Sequence, residues 1–218
     1  MSATAATPAA ADRTEPLVLF RDDGPIARTL GSVVGGAVRL PPVALIVAGI
    51  VPLVAAIVID GDGASKLATG AVVAWVVLAA GISSGRPHTD PLGWAVPAAL
   101  RFAEYGTVLW LAAVAGGSAP AGSFALLAVV AFRQYDLVYR PRYQGVAPPR
   151  WVGDLAGGWE GRLLAAWALL ALDALPAGLF AIASALAVLF VGESVASWLR
   201  FRRASELGLY EDEEDEEE

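Results

Sequence analysis

Residues 161–200 read GRLLAAWALLALDALPAGLFAIASALAVLFVGESVASWLR. Between Arg162 and Glu193 the one charged side chain is Asp173. A helix crosses the roughly 30 Å hydrocarbon core of a bilayer with about 20 residues, so this run is too long for one crossing. It is broken by Asp173-Ala-Leu-Pro176-Ala-Gly178. Proline inside a helix removes a hydrogen bond and pushes the preceding residue out of helical geometry. The pattern predicts a tight hairpin between two spans, Gly161–Leu175 and Pro176–Leu199.

Apolar runs of similar length recur upstream, at Leu40–Ile59, Leu67–Ser83, Gly93–Val114 and Ala121–Tyr139. Hydrophobic residues make up 56% of the 218 and charged residues 17%, against about a quarter in a soluble domain. The expected fold is an all-α integral membrane protein with six transmembrane helices. Pro25 to Arg39 differs: Ile26, Leu30, Val33, Val34 and Val38 share one helical face and Arg28, Ser32 and Arg39 lie on others. That predicts an amphipathic helix lying in the interface ahead of the first span.

Charge placement orients the spans. With both termini inside, the inner segments hold the loop arginines from Arg13 through Arg203, and the outer loops hold Lys66. Lys and Arg are retained on the cytoplasmic side, so the expected site is the cell membrane, multi-pass, with N and C termini cytoplasmic. Residues 1–16 and 204–218 read as disordered tails around a single membrane domain at 17–203. The net charge of −7 comes from the terminal EDEEDEEE; without it the chain is about neutral, and nucleic acid is not an expected partner. The chain has no cysteine and one histidine, which argues against thiolate chemistry and a zinc site.

Five ionisable residues fall inside apolar spans: Arg101, Glu104, Arg133, Asp136 and Glu193. At about 1.5 Å rise per residue they lie at similar depth, toward the inside. An unpaired charge near the bilayer centre costs about 2.5–3.5 kcal/mol on the lenient insertion scale. Two readings stand. Intrahelical i,i+3 ion pairs could simply lock the bundle; alternatively, helices could aim these charges at an inward-facing cavity, with the arginines as donors to a phosphate. The candidate ligand-binding set is Arg101, Glu104, Arg133, Tyr135, Asp136, Arg140 and Glu193. Inner-loop candidates are Arg86, His88 and Asp90 in GRPHTDPLGW, with Trp151 and Trp159 in PPRWVGDLAGGWEGR.

Residues 21–28, RDDGPIAR, match part of the signature D-x-x-D-G-x-x-A-R…G-x-x-x-D-x-x-x-D of the CDP-alcohol phosphatidyltransferases. Asp23, Gly24, Ala27 and Arg28 fit, while Phe20, Ala37, Pro41 and Leu45 stand at the other signature places. One carboxylate cannot build a two-metal site, so this match reads as a coincidence or as part of a juxtamembrane helix. GWAVPAALRFAEY, residues 93–105, resembles that family's third-span segment, with Val96 and Leu100 where its metal-binding aspartates belong. YDLVYRPRYQGVAPPRW, GGWEGR and ESVASWLR are similar to an actinobacterial membrane domain of unknown function associated with proteins that also contain such a transferase-like or a nucleotidyltransferase-like region. The resemblance implies a degenerate relative without catalytic residues or metal ligands. Such a domain would bind an anionic lipid or phosphate-bearing headgroup in the bilayer, or scaffold a partner synthase. The rivals are an active phosphotransferase using Asp90, Glu104, Asp136 and Glu193 with magnesium, and a small transporter. No cofactor is expected under the first reading.

Overall fold

Prolines start the helices and short turns return them. The computed structural model describes residues 14–84, 86 and 90–216. Among these, nine α-helices follow in order: α1 (Thr14–Arg21), α2 (Pro25–Val34), α3 (Pro42–Ile59), α4 (Lys66–Ile82), α5 (Val96–Ala115), α6 (Ala119–Gln144), α7 (Arg150–Leu155), α8 (Gly158–Ala171) and α9 (Leu175–Glu216). A proline sits in the first turn of α2, α3, α5 and α6. There its missing N–H has no intrahelical partner to lose and its fixed φ suits the helix. Ser65 caps α4 instead, its side chain accepting from the Ala68 amide.

The break read at Asp173 is a turn. Asp173 adopts φ +57°, the Ala174 amide donates back to the Leu169 carbonyl at 2.8 Å, and α9 restarts at Leu175. Four segments are long and apolar enough to cross a membrane: Pro42–Ile59, Gly93–Ala115, Ala119–Gln144 and Leu175–Arg203. α4 has 17 residues, and α8 has 14, about 21 Å of helix, short of a full hydrocarbon core. The fifth predicted span is therefore shorter than expected and begins three residues earlier. α6 continues past Tyr139 to Gln144, and α9 runs on to Glu216.

A helix forms over the amphipathic stretch, but ends at Val34 rather than Arg39. Ala27 and Gly31 are its buried residues, packed on α4 and α8, while Ile26 and Val33 point away from the bundle. α1 was not legible in the pattern; it packs against α5 and α6. One apolar core runs through the bundle, with Ile46, Leu53, Val76, Leu100, Leu111, Leu126, Leu163 and Leu179 buried in it. Val47, Val51, Val58, Phe124, Val188 and Val191 are exposed on the outside, an apolar girdle that lipid suits better than water.

The helices put the turns at opposite ends. Asp62, Lys66, Ala115, Asp173 and Pro176 meet around one open cavity of about 370 Å³, so three turns share that end. The other end gathers the starts of α2, α5 and α8, the last turns of α4 and α6, and most of the arginines.

Candidate functional site

At the arginine-rich end the R-D-D-G sequence ahead of α2 meets the W-E-G-R sequence opening α8. Asp22 takes a left-handed φ of +53°, which turns the chain inward between α1 and α2. The Trp159 amide donates to the Asp22 carbonyl at 3.3 Å, and its indole donates to Asp23 Oδ1 at 2.8 Å. Glu160 accepts from the amides of Gly24 (3.1 Å) and Ala27 (3.0 Å), the free donors at the start of α2. Gly24 and Gly158 are forced by this contact. A Cβ on Gly24 would lie 2.4 Å from the Gly157 carbonyl oxygen, and one on Gly158 2.2 Å from the Gly24 nitrogen, with Gly158 at φ +64°.

The charges here close on each other. Buried Arg21 donates to Asp23 at 2.6 Å and to Ser83 at 3.1 Å. Arg162 bridges Glu104 at 2.7 Å and Asp22 at 3.1 Å. Arg101 donates to Glu104 on its own helix and to the Arg21 carbonyl at 2.6 Å. Burial pushes the Asp23 carboxyl up, but Arg21 and the donors Trp159 and Ser84 outweigh it and hold the group below its ordinary value.

A second cluster joins α6 to α9. Arg140 reaches back one turn to grip both oxygens of Asp136 and donates across to Glu193 at 2.8 Å. Ser194 adds a bond to Asp136 at 3.1 Å. Arg133 is different. Its side chain is 4% exposed, yet among the described residues its one ion pair is a 4.0 Å approach to Asp136. Its Nε has no hydrogen-bond partner, and its guanidinium lies 5.3 Å from the centroid of the Phe190 ring.

Beside this cluster a groove of about 320 Å³ opens between α6 and α9, with Asp136, Arg140 and Ser194 among its lining. Tyr135, Tyr139 and Tyr143 also line it, stacked at 4.1 Å and 6.0 Å along α6, opposite Trp198. Of the expected residues, Arg133, Tyr135, Asp136, Arg140 and Glu193 therefore gather at α6–α9. Arg101 and Glu104 belong to the closed cluster with Arg162. Arg86 donates to the Leu40 carbonyl, Asp90 accepts from the Leu92 amide at 3.1 Å, and Trp151 is exposed. Trp159, read as a loop residue, is fully buried at the start of α8. His88 lies outside the described residues.

Arg21, Asp22, Asp23, Glu160 and Arg162 are absent from the expected set. They were read as loop or juxtamembrane charges, because nothing in the linear pattern pairs residues 136 or 140 positions apart. The RDDGPIAR stretch closes α1, turns at Asp22–Gly24 and opens α2, as the juxtamembrane-helix reading allowed, and its turn docks on the start of α8. The four carboxylates of the magnesium reading do not converge either. Glu104 belongs to Arg101 and Arg162, Asp136 and Glu193 to Arg140, and Asp90 to a turn. Among the described residues no group of three or more acidic or histidine side chains is placed to hold a metal ion.

No curated protein and no solved structure matches the chain. A family profile does match, over residues 11–213, nearly the whole sequence. The chain with the interlocked R-D-D-G and W-E-G-R segments belongs to the family of unknown function DUF5941.

Proposed function

We propose that this protein is a multi-pass cell-membrane domain whose arginine-rich end faces the cytoplasm and binds a phosphate-bearing lipid headgroup at Arg133, between α6 and α9. The observation that carries the reading is Arg133. Its buried Nε has no hydrogen-bond partner, and a donor taken out of water without an acceptor costs free energy. Such a group is retained where a ligand supplies the missing acceptors, and phosphate oxygens match the guanidinium fork. The stacked tyrosines and Trp198 are the side chains a headgroup region favours. Six crossings with both termini inside follow from the same arginine bias, with α4 and the short α8 as the two marginal spans.

An accessory role beside a headgroup transferase rests on the resemblance of residues 93–105. There Val96 and Leu100, at the metal-ligand places, are fully buried in the apolar core. The transferase reading is disfavoured because each of its carboxylates is already engaged by arginine or a turn.

The test offers the purified full chain equal amounts of phosphatidic acid and phosphatidylcholine and weighs the complexes by native mass spectrometry. Selective retention of phosphatidic acid is expected, weakened about tenfold or more by Arg133→Gln, the scale of one charged hydrogen bond. Equal retention of both lipids would overturn the reading.

A further inference from the structure

The groove between α6 and α9 has a polar floor and aromatic walls. Asp136, Arg140 and Ser194 are its buried lining, while Tyr135, Tyr143 and Trp198 stand exposed around them. The floor is a matched pair of charges with bonding capacity left over. Arg140 donates to both Asp136 oxygens, so the two charges offset each other. Its Nη2 uses one proton on that bond and keeps a second. Ser194 donates its proton to Asp136 Oδ1 at 3.1 Å, which leaves its own oxygen to accept.

That floor selects a kind of ligand. An anion here would meet Asp136, and a cation would meet Arg140. A hydroxyl group donates and accepts through one atom, so it suits a floor that offers both. The walls favour a ring. Tyr135, Tyr139 and Tyr143 stack one turn apart along α6, with Trp198 opposite on α9. Aromatic faces are negative and attract the slightly positive C–H groups on the face of a sugar. A volume of about 320 Å³ is at the small end of ligand sites, room for one ring rather than an oligosaccharide. Depth points to the source of that ring. About 20 residues of helix cross the hydrocarbon and α6 has 26, so its last turns, with Tyr139 and Tyr143, stand at headgroup level.

We propose that this groove binds the sugar ring of a neutral glycolipid, its face on the aromatic side chains and its hydroxyls on Asp136, Arg140 and Ser194. The inference goes beyond the phosphate reading at Arg133 and does not depend on it.

The purified full chain is offered glucosyl-diacylglycerol and diacylglycerol with the same acyl chains, and the complexes are weighed by native mass spectrometry. The glucosyl lipid is expected to be retained about tenfold better, the scale of one or two hydrogen bonds; equal retention would overturn the proposal. Trp198→Leu removes an exposed ring and Ser194→Ala one acceptor. Each is expected to lower the preference about threefold or more, and a preference undiminished in both would place the sugar elsewhere and overturn the proposal. Free glucose competing as well as the glucosyl lipid would assign the groove to a soluble sugar and overturn the lipid source. One measurement needs no variant to fold: saturating the aromatic protons of the unaltered chain should transfer magnetisation to the C–H groups of one sugar face. Transfer to all sugar protons alike, or to none, would contradict the stacking. The phosphatidic acid comparison runs alongside. Loss of glucosyl preference with phosphatidic acid selectivity intact ends this inference alone; the reverse upholds it and ends the phosphate reading.

Discussion

Arg133 and Arg162 are both buried arginines, and they separate stability from binding. Arg162 is bonded to two carboxylates, so Arg162→Gln strands Asp22, leaves Glu104 with Arg101 alone, and is expected to cost about 3–5 kcal/mol in detergent-based unfolding. Arg133 has little to lose, and Arg133→Gln is expected to leave the melting temperature unchanged or higher while removing lipid selectivity. A large drop in melting temperature for Arg133→Gln would make it a structural group instead. Asp23 gives a pH test. Its carboxyl titrates below the ordinary 3.8 in the folded chain, so in acid the folded state holds fewer protons than the unfolded one. Its contribution is full above 3.8 and is lost as the pH falls through the folded value. The stability gap between the unaltered chain and Asp23→Asn should therefore be constant near neutrality and shrink in acid. A gap that widens in acid would contradict the assignment. At this scale the sequence showed the costly charges in the spans and the Arg133–Asp136 pair, which forms at 4.0 Å, but missed the tighter partner. Asp136 is gripped by Arg140, because a helical side chain leans back toward the N-terminus and acid-before-base at i,i+4 is the better pair.

Between elements, the contact that organises the arginine-rich end is backbone against backbone, where the α2 start meets the α8 start. Gly24→Ala and Gly158→Ala each drive a methyl into main chain, and the second also strains a left-handed residue, so each is expected to cost about 1–3 kcal/mol. Gly161→Ala, in the same helix with open space around its Cβ, is the control and should be neutral or slightly stabilising. Equal losses for all three would show that the close approach is not what holds α2 on α8. The elements themselves were largely legible. Twenty-residue apolar runs, prolines at helix starts and the Asp173–Gly178 break located α3 to α6 and the α8–α9 hairpin. α1 was not, since Thr14–Arg21 has too few residues to display a period. The R-D-D-G to W-E-G-R pairing was hidden because it depends on tertiary approach, which no local pattern encodes.

Across the whole molecule, the absence of cysteine makes orientation directly measurable. A single cysteine at Gly117 should react with a membrane-impermeant maleimide added outside intact cells, and one at Gly145 only after lysis; the reverse pattern would invert the proposed topology. The binding role was legible only as a question, because composition cannot say whether buried charges satisfy one another or leave donors over. The structure divides them: the α1–α5–α8 cluster is largely paired within itself, while Arg133, between α6 and α9, keeps an unpartnered Nε. The most direct test is nitrogen-15 to phosphorus-31 dipolar recoupling in bilayers, with arginine guanidinium nitrogens labelled and phosphatidic acid as the phosphorus source. The account predicts a short-range nitrogen–phosphorus contact in the unaltered chain that Arg133→Gln abolishes. A contact that survives Arg133→Gln undiminished, or none in the unaltered chain, would contradict it.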